Sequence, residues 1–297
     1  DEDFALGGRL NAERYEVDGM AGHAYAARAV EELRSLPNVT VMARTTVFGA
    51  YDGREFGLIE RVADHLPVPL KHQPRQRLWR VVTKRCVLAS GSYERPIAFG
   101  GNDRPGVMLA SAVRTYLNRY GVAPGRRVSI FTTSDDGWQT ARDCLAAGVE
   151  VSAIVDARPE VSPDLSDFAV REGVRRFIGA EVVATKGRQT LSAMTVIDKT
   201  GELHEIATDC LAVSGGFNPN LYITTHLGGR PKWSDAIHAF TPGTKPSHMA
   251  VVGAANGEFS LSDAFRTGAE AGRSAAAEAG FESTGFEPPA TSEDAVS

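Results

Sequence analysis

Three acidic residues open this 297-residue sequence, five positions ahead of a glycine pair: Asp1-Glu2-Asp3-Phe4-Ala5-Leu6-Gly7-Gly8-Arg9-Leu10. A carboxylate at the end of a strand can accept hydrogen bonds from both hydroxyls of an adenosine ribose. Glu2 is the residue placed for that contact, with Asp1 and Asp3 beside it. Gly7 and Gly8 carry no Cβ, so their backbone can lie close to a ligand. The chemistry expected here is the grip of a nucleotide sugar, with no bond broken.

Two further stretches suit the same ligand. Leu88-Ala89-Ser90-Gly91-Ser92 ends an apolar run in small residues, which would let the chain pass close to a cofactor diphosphate. Val251-Val252-Gly253-Ala254-Ala255 ends a second apolar run and leads into a helix. A third place is different. After the buried run Val128–Phe131, a nucleotide-binding copy would read GxGxxG, because diphosphate packs onto bare backbone at a helix N-terminus. The sequence there is Thr132-Thr133-Ser134-Asp135-Asp136-Gly137. Two carboxylates repel a diphosphate and side chains replace two glycines, so this copy is expected to bind no nucleotide.

The elements that must position these residues are read from periodicity and turn chemistry. Helices are expected over Tyr25–Leu36, Leu109–Tyr120, Trp138–Ala147, residues 165–173 and Ser262–Ala279. Strands are expected at Val39–Met42, as a hairpin over 45–62, as a β pair over Leu78–Ala89, and at Val128–Phe131, Val149–Val155 and Met249–Gly253. Residues 181–213 read as a β meander with a turn at Lys199-Thr200-Gly201. The pattern predicts an α/β chain of two nested Rossmann-like dinucleotide-binding domains of the flavoprotein reductase type, the first truncated at its N-terminus. Its segments are 1–107 plus 247–281 for the first domain and 108–246 for an inserted domain without a working nucleotide motif. Residues 282–297, rich in Glu, Ser, Pro and Thr, read as a disordered linker.

Composition narrows the function classes. A net charge of −5 leaves no basic surplus for a nucleic-acid platform. The basic clusters at Arg75–Arg80 and Arg126–Arg127 read as solvated faces. No apolar run reaches the roughly 20 residues of a membrane span, and no signal peptide opens the chain. A start without Met suggests that the natural N-terminus lies upstream. Cys86, Cys144 and Cys210 are far apart, which gives neither a metal site nor a redox disulfide and suits a reducing cytoplasm. The seven histidines, His23, His65 and His72 among them, show no metal-ligand or triad spacing. Trp138 and Trp233 read as packing or interface anchors.

One long stretch is more specific than any glycine motif. Gly91-Ser92-Tyr93-Glu94-Arg95-Pro96-Ile97-Ala98-Phe99-Gly100-Gly101-Asn102-Asp103-Arg104-Pro105-Gly106-Val107-Met108, with Tyr116–Gly121, Asp135–Gly137 and Gly215-Gly216-Phe217-Asn218-Pro219, resembles the α subunit of heterotetrameric sarcosine oxidases. The resemblance spans nearly the whole chain and marks it as an internal piece of a longer subunit. It implies that this region binds NAD where reductases hold flavin, since Ala254 replaces the Asp that would meet a flavin ribityl chain. It implies oxidation of sarcosine on FAD in a β subunit, FMN at the α/β interface, reduction of oxygen to peroxide, and one-carbon transfer to tetrahydrofolate. The implied partners are β, γ and δ subunits, with no nucleic acid and no membrane.

Carried onto this sequence, Asp1, Glu2 and Asp3 would face the adenosine ribose. Gly7, Gly8 and Arg9 would approach the cofactor, and Val47 would offer backbone to the adenine. Ser90, Gly91 and Gly253 would pass the diphosphate, while Ala254, Phe259 and Leu261 would line the nicotinamide end. Tyr93 and Arg95-Pro96 could touch FMN or a partner, or simply pack a crossing loop. Other readings are the α subunit of a related amine or opine oxidase, a free-standing NAD(P)H:flavin reductase, and a scaffold that only docks a β subunit. Because the phosphate loop would lie upstream, the chain alone is expected to bind NAD more weakly than about 1 μM, some 8 kcal/mol.

Overall fold

The computed structural model describes every residue except 283–284 and 293–297. The chain forms two compact units: Asp1–Asn11, Tyr15–Tyr93 and Asn218–Ser297 make the first, Ala12–Arg14 with Glu94–Phe217 the second.

The second unit is built on a five-stranded parallel sheet. Its spatial order is Arg176–Ile178, Glu150–Asp156, Arg127–Thr132, Cys210–Ser214 and Val107–Leu109. Helix Asp135–Ala146 makes the crossover between two of these strands and buries Trp138, Ala141 and Cys144 against Val128 and Ile130. Every residue of Cys210–Ser214 is buried, as expected of a central parallel strand covered on both faces. That strand corrects the meander expected over 181–213. Glu181–Lys186, Ala193–Ile197 and Leu203–Ala207 do form an antiparallel sheet, turning at Gly201 with φ +86°, but Cys210–Ser214 leaves it for the parallel sheet. A run without polar alternation has two faces to bury, and a three-stranded surface sheet offers one. The helix expected over 109–120 is an α-helix at Ala110–Arg114 that loosens into a π-helical turn at Thr115–Arg119.

The first unit carries the residues of the predicted sugar site. Helix Gly22–Ser35 precedes a three-stranded antiparallel sheet, Thr45–Tyr51, Glu55–Arg61 and Gln76–Val82. Cys86–Leu88 pairs in parallel with Met249–Val251, and helix Leu261–Glu278 follows. Residues 78–89 are therefore no hairpin: their two halves serve different sheets. Val39–Met42 joins no ladder, although Met42 accepts a hydrogen bond from the amine of Asp1. Ala50, Phe56, Ile223, Met249, Val251 and Ala255 form the core of this unit. Part of the C-terminal segment is held along Glu16–Asp18, where Ala290 accepts from Asp18 N and Glu16 accepts from Ser292 N.

Burial pushes the Cys144 and Cys210 thiols up to about 12 and raises that of Cys86. Desolvated thiols of this kind are poor nucleophiles. Among the described residues no helix is long and apolar enough to cross a membrane.

Candidate nucleotide site

All of the predicted contact residues lie in the first unit. Asp1 O accepts from Thr45 N at 2.7 Å and Asp3 O from Arg44 N at 2.8 Å, so the acidic segment is tied to the start of the antiparallel sheet. The same sheet presents Val47, 41% exposed, two residues further on. The three carboxylates are employed differently. Asp1 Oδ1 accepts from Asp3 N, and Asp3 Oδ1 accepts from Phe4 N at 2.6 Å and Ala5 N at 3.4 Å. The Glu2 backbone carbonyl takes a hydrogen bond from Arg61, while among the described residues no hydrogen bond reaches its carboxylate. Asp1 and Asp3 shape the turn, and the Glu2 side chain is exposed.

The glycines divide by role. Gly7, at φ +134°, lies so close to helix Gly22–Ser35 that a Cβ would come 2.8 Å from Ala26 Cβ. Its neighbour Gly8, also left-handed, opens the 3₁₀ turn that holds Arg9, and the space where its Cβ would stand is empty. Gly91, at φ +69°, is similarly open. A second group gathers at the C-terminal ends of the parallel pair. Val252 N donates to Leu88 O, which sets Gly253 and Ala254 beside Ser90 and Gly91. Ser90 Oγ donates to Asn220 O at 3.0 Å, and Gly91 O accepts from Asn220 N at 2.9 Å. Ligands of open α/β sheets bind at this end of the strands. Phe259 and Leu261 flank Ser260, which caps helix Leu261–Glu278 by accepting from Asp263 N. Tyr93 stacks on Tyr222 at 6.4 Å, while Arg95 is pinned by paired backbone bonds with Gly215 and Gly216.

In the second unit the place of the missing GxGxxG turn is filled from within. Asp135 pairs with Arg158 at 2.7 Å, and Arg158 also grips Asp156, whose carboxylate accepts from Trp138 Nε1 at 2.8 Å. Asp136 pairs with Arg114 at 3.2 Å. The first helical turn thus carries carboxylates neutralised by the protein's own arginines, and no anion is needed there. Thr132 Oγ1 ties itself to Ser134, accepting from its N and donating to its O. Only the last glycine keeps a purpose. A Cβ on Gly137 would lie 2.3 Å from Thr132 Oγ1, so the helix packs on the strand because nothing stands between them. Gly137→Ala should therefore cost about 1–3 kcal/mol of overpacking, read as an earlier urea transition in Trp138 fluorescence. An unchanged midpoint would show that Thr132 moves aside freely.

Sequence reasoning did not find the buried charges behind this. Arg114 is 1% exposed and meets Asp143 at 2.8 Å and Glu13 at 3.3 Å besides Asp136. Burial works against its charge, but the three carboxylates overcome it and hold the guanidinium firmly protonated. Glu94 lies nearby, accepting from Ser111 N at 2.8 Å and Ser111 Oγ at 2.6 Å. Desolvation raises its pKa and Asp136 raises it further, although the serines pull the other way. A carboxyl whose folded pKa is raised contributes fully below its unfolded value and loses that contribution as pH rises through the folded one. Glu94→Gln, which keeps an acceptor oxygen, should match the parent at about pH 4 and become the more stable as pH rises above the ordinary carboxylate range. A pH-independent difference in urea midpoint would contradict this.

One cluster brings metal-ligand residue types together where spacing did not reveal it. Asp198, Glu202 and His204 meet at the hairpin tip. Asp198 Oδ1 accepts from Thr200 and from Glu202 N, and its Oδ2 pairs with His204 Nε2 at 2.7 Å. Hydrogen bonds from Thr200, then His204, hold the Asp198 carboxyl well below the usual range. An Asx turn that closes a hairpin accounts for the arrangement.

The fold is an α/β architecture of the kind seen in FAD- and NAD-dependent oxidoreductases. Among solved structures it resembles L-proline dehydrogenase from P. horikoshii, with a TM-score of 0.69 and 20% identity over 95% of this chain and 50% of that one. It also resembles T. acidophilum thioredoxin reductase, with a TM-score of 0.70 and 13% identity over 94% and 89% of the two chains. No family model matches. Among curated relatives the chain is similar to sarcosine oxidase α subunits over most of its own length. It is 48% identical over 258 residues to the α subunit from Rhizobium meliloti, covering 86% of this chain and 25% of the relative. It is 39% identical over 291 residues to that of a Corynebacterium species, covering 95% and 30%. The chain therefore spans between a quarter and a third of those relatives' length.

Proposed function

We propose that this chain is the NAD-holding portion of a sarcosine oxidase-type α subunit, and that the oxidation of substrate takes place in a partner chain. The observation that carries the reading is the contrast between the two halves. One unit keeps a carboxylate free of internal hydrogen bonds, and glycines with open space over them. The other has its helix N-terminus neutralised by its own arginines. Glu2 would accept from the ribose hydroxyls, Gly8 and Gly91 would admit the diphosphate to bare backbone, and Val47 would border the adenine. Ala254, Phe259 and Leu261 would close the nicotinamide end.

NAD, when bound, is a two-electron hydride carrier. The chain's own part is to hold and orient it, and no side chain here is assigned an attack on substrate. FAD in a β subunit, FMN at the interface between subunits, γ and δ partners, peroxide release and delivery of the one-carbon unit to tetrahydrofolate are part of the same proposal. A cytoplasmic location accords with three cysteines free of disulfides.

A second reading has support of its own. The chain is 25% identical over 181 residues to one of the opine oxidase subunits of Rhizobium meliloti, covering 54% of this chain and 40% of that one. Substrate-dependent peroxide formation by the complete complex separates the two. Turnover of sarcosine and none of opines is expected; the reverse would give the place to the second reading.

A further inference from the structure

We infer that the outer face of the three-stranded antiparallel sheet in the first unit is a docking surface for a partner subunit that offers an apolar patch with an acidic rim. This rests on the reading of the chain as part of a multi-subunit complex. Register fixes which side chains share a face. Ala50, Phe56 and Leu58 point to the core, so their strand neighbours point away from it. The outward side carries Phe48, Tyr51, Ile59, Leu78 and Val82, with the Arg80–Glu55 ion pair set among them. Leu78 is 66% exposed and Val82 71% exposed, although a sheet with one solvated face usually shows polar residues there.

The face is also shaped. Phe48 lies where a Cβ on Gly57 would be, 2.6 Å from its ring, and Tyr51 covers Gly49 in the same way. Two glycines thus leave room for two rings over the sheet backbone, on the same face as the exposed aliphatic side chains. Several large apolar side chains exposed on one face mark interaction sites.

Charge chooses the partner. Residues 52–85 hold eight lysines and arginines against four acidic residues, +4 in a chain whose net charge is −5. Arg75, Arg77 and Arg80 are paired with Asp64, Glu60 and Glu55. Among the described residues Arg54, Lys71 and Lys84 have no such pair, against Asp52 alone of the acidic residues in this stretch, so the turns bordering the sheet are net positive. Basic rims of this sort speed encounter with an acidic surface and exclude other basic ones. A second copy of this acidic chain would meet its own positive rim, which disfavours self-association through this face.

The test uses the full-length α subunit purified with its partners. Leu78→Glu with Val82→Glu should weaken assembly of the complex at least tenfold by light scattering coupled to size exclusion, leaving the melting transition and bound nucleotide in place. Arg54→Glu with Lys84→Glu should weaken assembly less and make it insensitive to salt. Val122→Glu, at an exposed position of the other unit, should change nothing. Unchanged assembly in the Leu78/Val82 variant would overturn the docking face alone. A change only in self-association would assign the face to a second copy and overturn the proposal. A lowered melting temperature without loss of partners would assign it to the remainder of the same polypeptide, with the same consequence. A parent protein that purifies with no partner would overturn both the reading as part of a complex and the docking face.

Discussion

Replacing Arg114 by Met should destabilise the second unit by about 3–5 kcal/mol, the range for removing one partner from a buried ion cluster. The guanidinium is the shared counter-ion of Asp143, Asp136 and Glu13, whose side chains are 2%, 16% and 9% exposed. Met fills similar volume, so the loss is electrostatic and no cavity is opened. Asn118 Nδ2 and Gln139 Nε2 still donate to Asp143, but neutral amides cannot balance three carboxylates. Trp138, fully buried in this unit, reports the transition by fluorescence in urea. A loss below about 1 kcal/mol at pH 7 would mean that water reaches these groups and that the cluster is not a dry one.

Glu2→Ala should lower the affinity of the full-length complex for NAD by about 10- to 100-fold. Hydrogen bonds to a charged group are worth about 1.5–3 kcal/mol, and each 1.4 kcal/mol is a factor of ten. Stability should stay unchanged, because the Glu2 side chain is exposed and its structural contribution is the backbone carbonyl that Arg61 holds. Asp135→Ala is the matching control in the second unit. It frees Arg158 from one ion pair but leaves Asp156 on it, and NAD affinity should not change. Equilibrium dialysis with both variants distinguishes the two halves. Equal losses in the two would mean that the nucleotide is not confined to the first unit.

What the sequence disclosed, and what it hid, follows from the range of the interactions. The helix around Ala26 and Val30, the hairpin over 45–62 and the strand–helix–strand passage from Val128 to Val155 are local patterns, and the structure contains all of them. The loss of the second nucleotide motif was readable because it lies in six consecutive residues. What neutralises that motif was not: Arg114 meets Asp136 and Asp143 from 22 and 29 positions away, and Arg158 meets Asp135 from 23. A buried ion cluster has no periodicity, and Arg114 reads on its own as one basic residue of an ordinary helix. Strand partners were hidden for a related reason. Cys86–Leu88 pairs with Met249–Val251 across more than 160 residues, while its nearest apolar neighbours in sequence belong to another sheet. At the proposed sugar site the acidic run Asp1–Asp3 is a local pattern, but the division of labour among its carboxylates is visible only through their hydrogen bonds.

The first unit as nucleotide holder is tested most directly by acid extraction of the complete, freshly purified complex, with the released nucleotide counted per α chain. One NAD per α chain is the expected result, falling towards zero after dialysis of the Glu2→Ala complex and unaffected in the Asp135→Ala complex. A parent complex that releases no NAD, or one whose NAD survives loss of Glu2 and disappears with changes in the second unit, would contradict it.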